Sequence, residues 1–121
     1  MNTNKKVAAI DRICSVVIPF FNGNNYINET INSILHNRPV AEIIIVVDKN
    51  SEEPLIKSNS DIIRILYNTS DFKGAGIARS IGFNSAKYEY VAFLDSDDLW
   101  SPLRLEKHIE YMKKKDYVFS F

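Results

Sequence analysis

Short apolar runs alternate along this chain with stretches whose apolar residues recur at helical spacing, a pattern that predicts βαβ units around a parallel sheet. Ser15-Val-Val-Ile-Pro-Phe20 reads as the first strand, ended by the turn signal Asn22-Gly23-Asn24-Asn25. Ile27, Ile31, Ile34 and Leu35 then follow at the i, i+4, i+7, i+8 spacing of a helix with one buried face. Asn24 or Asn25 is the predicted N-cap, and Asn37 to Pro39 closes the helix. Glu42 to Val47 is almost wholly β-branched, as expected of a strand buried on both faces. Asp48 to Asn59 is polar and contains Pro54, which predicts a loop with room for one helical turn. Ile62 to Tyr67 reads as a third strand, nearer the sheet edge because Arg64 interrupts it. A glycine-containing loop from Asn68 to Gly76 opens a helix over about Ile77 to Lys87, with Ala78, Ile81 and Ser85 on one side.

The fourth run, Tyr90 to Leu94, leads directly into Asp95-Ser96-Asp97-Asp98. Beyond it, Ser101 and Pro102 are an N-cap and first-turn pair for a helix that turns Leu105, Ile109 and Met112 inward. Tyr117 to Phe121 begins another strand.

Composition narrows the class. The chain has 121 residues, 45% of them hydrophobic, enough for one modest domain. Lys plus Arg and Asp plus Glu number 15 each, so no electrostatic footprint for nucleic acid exists and a nucleic-acid partner is not expected. The one cysteine, Cys14, cannot form an internal disulfide and reads as a structural thiol in a reducing compartment. Residues 1–10 have a basic start but no sustained apolar region, and no run reaches membrane-spanning length. The expectation is a soluble, cytoplasmic protein.

Three carboxylates at the end of a buried strand repel one another and dislike the adjacent core, which points to a positive partner. Oxygen-only clusters suit Mg²⁺ or Mn²⁺, commonly held by one or two carboxylates plus substrate phosphates. In open α/β sheets ligands bind beyond the carboxyl ends of the strands, where the strand order reverses. Right-handed crossovers commonly place the first strand beside the fourth in such sheets. The turn after Phe20, the acids after Leu94 and Asp48 on the neighbouring strand then face one crevice. Such a set can stack a base, accept its N–H hydrogen bond and hold a metal on a diphosphate.

Several readings stay open at this level. Alternation along a strand places Asp95 and Asp97 on one side and Asp98 on the other, but it can fail past the strand end; Asp97, being central, is the first choice as ligand. Of Phe20 and Phe21, one enters the core and the other faces the crevice. Trp100 reads as a core or loop anchor. Gly74-Ala-Gly76 resembles part of a dinucleotide fingerprint, yet a polar loop precedes it and Arg79 stands where the last glycine belongs, so that reading is rejected. The loop instead closes over the crevice, with backbone N–H groups and Lys73 or Arg79 near phosphate; for Arg79 an intradomain ion pair is an equal alternative.

Taken together, Ser15-Val-Val-Ile-Pro-Phe-Phe-Asn22, Glu42-Ile-Ile-Ile-Val-Val-Asp48, Ala78-Arg79-Ser-Ile-Gly82 and Phe93-Leu-Asp-Ser-Asp-Asp98 occur in an order and spacing that resembles the N-terminal half of family 2 glycosyltransferases with the GT-A fold. The resemblance implies a Rossmann-like α/β three-layer sandwich with a mostly parallel sheet, truncated, in which 1–14 is an N-terminal extension and 15–121 the nucleotide-sugar-binding part. It implies a nucleotide-diphosphate sugar donor, most commonly a UDP-sugar, a divalent cation (Mn²⁺ or Mg²⁺), and inverting transfer to a glycan or lipid-linked acceptor. Carried over, Pro19, Phe21, Asn22, Asp48, Arg79, Asp95 and Ser96 are nucleotide-binding, with Phe21 against the nucleobase and Asp48 accepting from it. Asp97, Asp95 and Asp98 are the metal ligands, Asp95 and Asp97 forming the Asp-x-Asp motif.

The chain departs from the pattern at Val47 and Lys49, where many members carry a second acid and a Gly-Ser or Asn-Ser turn. The resemblance also places the acceptor-binding half and the catalytic base C-terminal to Phe121. A fragment is therefore expected, able to bind nucleotide weakly but not to transfer sugar efficiently, peripheral at the inner membrane face if its acceptor is lipid-linked. An exposed sheet edge around Tyr117 to Phe121 would favour homo-oligomers. Two other classes compete. A non-catalytic binding or dimerisation module would keep the fold without metal-dependent nucleotide affinity. A nucleotidyltransferase would carry a basic, Gly-rich segment after the first strand, and Pro19-Phe-Phe-Asn-Gly23 has no Lys or Arg.

Overall fold

The computed structural model of the protein describes residues 14–37 and 40–100. Strands β1 (Cys14–Phe20), β2 (Val40–Val47), β3 (Ile63–Tyr67) and β4 (Tyr90–Phe93) form one sheet in the order β3-β2-β1-β4. Every pairing is parallel, and β1 lies directly beside β4, as expected. Helices α1 (Ile27–Leu35) and α2 (Ala75–Ser85) complete the described elements. The expected helix after Ser101 and the strand from Tyr117 lie outside the described residues.

Strand alternation divides the core into two layers. Val16, Ile18 and Phe20 of β1 and Ile43, Ile45 and Val47 of β2 pack with Ile27, Ile31 and Ile34 of α1. Val17, Ile44 and Val46 point the other way and meet Ala78 of α2. The two central strands are thus buried on both faces, which is why their sequences are continuously apolar. β3 is one edge of the described sheet, and its Ile65 and Tyr67 are exposed. The expected interruption at Arg64 fits that place.

Helix α2 approaches β1 closely at Gly82. A Cβ there would overlap Cγ1 of Val17, a fully buried, β-branched side chain with no room to turn. Gly82→Ala should destabilise the fold by about 2 kcal/mol: overpacking costs about 1–3 kcal/mol, and alanine's better helix propensity returns up to about 1. Urea unfolding checks this, and Val17→Ala in the Gly82→Ala background should recover part of the loss.

At the amino ends of the strands, Glu42 is buried and joins four segments. Its Oε2 accepts the Ser15 hydroxyl at 2.6 Å and the Lys87 N–H at 2.8 Å, while Oε1 accepts Arg64 Nε at 3.1 Å. Arg64 also donates to the Ser85 carbonyl at 2.8 Å, tying the end of α2 to the sheet.

Three expectations need correction. The N-cap of α1 is Tyr26, with no side-chain cap bond, because the carboxamide of Asn24 is spent elsewhere. Leu35 lies 36% exposed at the end of the nine-residue helix, while its neighbour Ile34 is fully buried and carries the core contact of that turn. The β2–β3 connection contains no helical turn. It is an extended strap gripped by asparagines: Asn22 Oδ1 accepts Glu52 N–H at 2.7 Å, Asn24 Oδ1 accepts Leu55 N–H at 2.8 Å and Asn28 Oδ1 accepts Lys57 N–H at 2.8 Å. Asn24 and Asn28 donate back to the carbonyls of Glu53 and Leu55 at 2.8 and 2.9 Å.

Candidate functional site

Parallel strands send their following loops to the same end of the sheet, so the segments after β1, β2 and β4 meet there. They surround an open crevice of about 440 Å³ lined by residues of the β1–α1 turn, by Asp48, by Ala75, Ala78 and Arg79 of α2, and by Asp95, Ser96 and Asp97. Pro19, Phe21, Asn22, Asp48, Arg79, Asp95, Ser96 and Asp97 are therefore brought together. Asp98 does not line the crevice.

Phe20 is fully buried in the core and borders the floor of the crevice, while Phe21 is 53% exposed and is the phenylalanine that presents open surface there. Tyr26, equally exposed, lines the same crevice from the start of α1 and was not indicated by the sequence pattern. Asn22 adopts a left-handed backbone (φ 52°), a conformation asparagine tolerates, and its N–H donates to Ser51 Oγ at 2.9 Å. With its Oδ1 held by Glu52 N–H, Asn22 shapes the crevice wall and secures it to the strap. At Gly23 the turn comes so near the acidic segment that a Cβ would stand 2.7 Å from Ser96 Oγ.

Asp48 is gripped from several sides. Its Oδ1 accepts the Lys49 N–H at 2.8 Å and Asn68 Nδ2 at 3.0 Å, and Oδ2 accepts the Gly74 N–H at 2.8 Å. Burial alone would raise its pKa, but these donors, Asn68 foremost, with the Lys73 charge hold the carboxyl below the usual carboxylate range. It is ionised at neutral pH. A carboxylate offers about four lone-pair positions, so one remains for a further donor. Asn68, a buried residue at the end of β3, is the partner that sequence reading missed; its position matches that of Asp48 one strand over.

The acids follow β4 in a turn closed by the Asp98 N–H on the Asp95 carbonyl at 3.1 Å. That turn defeats strand alternation: one oxygen from each of Asp95, Asp97 and Asp98 lies within 4.8 Å of the others, all three residues being exposed. An all-carboxylate donor set of this compactness suits a hard divalent cation, Mg²⁺ or Mn²⁺, and leaves positions for water and phosphate oxygen. Arg79 pairs with Asp95 at 3.1 Å, both side chains being well exposed, so the pair adds little stability. Helix α2 begins at Ala75 on the crevice wall, and its first N–H groups provide an anion-favouring end. Burial pushes the Cys14 thiol up to about 12, against a lowering hydrogen bond from Ala92, and it takes no part here. Among the described residues no helix is long and apolar enough to cross a membrane.

Residues 15–121 match the family described as Glycosyl transferase family 2. A Bacillus subtilis (strain 168) protein named as a teichuronic acid biosynthesis glycosyltransferase, TuaG, is 36% identical over 115 residues, 90% of this chain and 45% of that protein. The Escherichia coli UDP-Glc:alpha-D-GlcNAc-diphosphoundecaprenol beta-1,3-glucosyltransferase WfgD is 30% identical over 115 residues, 92% of this chain and 45% of its own length. The chain thus spans less than half the length of these curated relatives. A crystal structure of S. aureus TarS 1–349 in complex with UDP superposes with a TM-score of 0.67 at 21% identity, covering 84% of this chain and 32% of that one. At that identity the likeness speaks for the fold, which is GT-A.

Proposed function

The chain belongs to glycosyltransferase family 2, and from that premise we propose that the crevice binds the donor for transfer of a sugar from a nucleotide-diphosphate sugar to a glycan or lipid-linked acceptor, with inversion. Residues 15–121 would form the nucleotide-sugar-binding part and 1–14 an extension, working in the cytoplasm or at the inner membrane face. The observation that carries the reading is convergence. An exposed aromatic pair, an ionised carboxylate with one free acceptor position, an arginine just past the first turn of a helix and a three-acid turn border a single crevice.

Phe21 and Tyr26 offer faces for a nucleobase, and Asp48 an acceptor for its N–H. Pro19, Asn22 and Ser96 shape the walls. Asp97, Asp95 and Asp98 would hold the divalent cation, and such a cation, when bound, stabilises the charge of the departing diphosphate. Arg79 and the first N–H groups of α2 would help to neutralise the phosphates. The TarS complex with UDP and the UDP-Glc in the name of the E. coli relative favour uridine as the base. Transfer also requires a base to deprotonate the acceptor hydroxyl. No described crevice residue is assigned that role.

The test is calorimetric titration of UDP with Mn²⁺ and with a chelator. Affinity should be at least about tenfold tighter with the metal, because the cation replaces charge repulsion between diphosphate and acids by attraction. Equal affinity in both conditions would favour a module that keeps the fold for interaction alone.

A further inference from the structure

Three carboxylates with oxygens within 4.8 Å of one another push apart, so the fold must hold the turn that carries them. Its own backbone contributes the Asp98 to Asp95 bond, and β1 contributes the Val17 carbonyl, which accepts the Leu94 N–H at 3.0 Å. Two further restraints come from a single turn of α1. Thr30 is fully buried, and its hydroxyl donates to the carbonyl of Ser96 at 2.7 Å. Ser33 Oγ accepts the Trp100 N–H at 3.1 Å while donating to the Thr30 carbonyl at 2.8 Å. One bond grips the middle of the acidic segment and the other its far side.

A threonine within a helix ordinarily satisfies its hydroxyl on a carbonyl one turn back. Thr30 instead directs it to backbone far along the chain, at a buried position where valine has the same shape and no polar atom to satisfy. Ser33, three residues on, lies on the same helix face. We propose that Thr30 and Ser33 are positioning residues of the cation site: their hydroxyls fix the spacing of Asp95, Asp97 and Asp98 without touching the ligand. This rests on the reading of the crevice as a cation–diphosphate site.

The experiment titrates UDP into the 121-residue chain and its Thr30→Val, Thr30→Ser and Ser33→Ala variants, with Mn²⁺ and with chelator, and records melting temperatures. The quantity read is the ratio of the two affinities. Thr30→Val should reduce that ratio about tenfold, the scale on which outer-shell changes act on metal sites. Thr30→Ser should restore it, Ser33→Ala should lower it in the same direction, and affinity in chelator should stay at the parent value throughout. A ratio in Thr30→Val equal to the parent's, whatever its melting temperature, overturns the proposal and leaves the hydroxyl a structural bond only. Should Thr30→Val not fold, Ser33→Ala decides by the same ratio. Absence of any manganese effect in the parent defeats the reading of the crevice itself, and the proposal with it.

Discussion

Replacing Glu42 by alanine is expected to cost the fold about 3 kcal/mol, read as a drop in the urea midpoint at constant slope. The carboxylate is 6% exposed and takes donors from β1, β3 and the α2–β4 connection, so its removal strands three groups at once. The Ser15 hydroxyl is fully buried and loses its acceptor, and the Lys87 N–H loses its own. Arg64 keeps 32% of its side chain in water and can rehydrate, which holds the loss to the low end for a broken buried pair. Glutamine should cost less, since its amide oxygen still accepts while the charge is gone. The same network makes stability depend on acid. Burial would raise the Glu42 pKa, but Ser15, the Lys87 N–H and Arg64 together bring it below its ordinary 4.5. A carboxyl depressed in the folded state is protonated first in the unfolded chain as pH falls. Its contribution is therefore complete above about pH 4.5 and is lost as pH drops from there through the folded value. Glu42→Gln should flatten the fall in urea midpoint over that window, leaving the share that belongs to Asp48, whose carboxyl is also depressed.

Asp97→Ala is expected to remove the manganese-dependent part of UDP affinity while the protein melts at the parent temperature or slightly above it. Asp97 is exposed at the crevice and belongs to a crowded set of like charges, so its loss leaves no core gap and relieves repulsion. Changes in the shell around a metal cost about 10–100-fold in affinity, and a direct ligand should cost no less. Asp98→Ala should act more weakly, since Asp98 reaches the cluster only through the turn and does not line the crevice. Calorimetry with and without Mn²⁺, paired with a melting curve, checks both variants. Unchanged affinity in Asp97→Ala would take that residue out of the site.

The sheet was legible because burial on both faces leaves an unmistakable trace: only apolar residues serve at Val16 to Ile18 and Ile43 to Val47, and chain order with crossover handedness then places β1 between β2 and β4. The crevice residues followed, since they stand where those runs end. Less legible were features built from side chain to backbone bonds. The strap over 51–57 leaves no periodicity, only asparagines at positions 22, 24 and 28 that read equally well as turn formers. The same competition displaced the N-cap of α1, and it hid Asn68 as the partner of Asp48. Helix α2 starts at Ala75, earlier than the apolar pattern marks, because Ala75 and Gly76 are exposed and the first core residue of the helix is Ala78. Nothing in the sequence singles out Thr30, because a sequence does not reveal where a hydroxyl points.

The strap also bears on how this protein can change over generations. Surface connections usually tolerate insertions and deletions easily. Here the amides of residues 52, 55 and 57 are each claimed by a separate asparagine, while Glu52 Oε2 accepts the Asn24 N–H at 3.2 Å and Glu53 Oε2 the Tyr67 hydroxyl at 2.8 Å. The residue count of this stretch is the stricter constraint, for one added or missing unit would put every later amide out of step with its clasp.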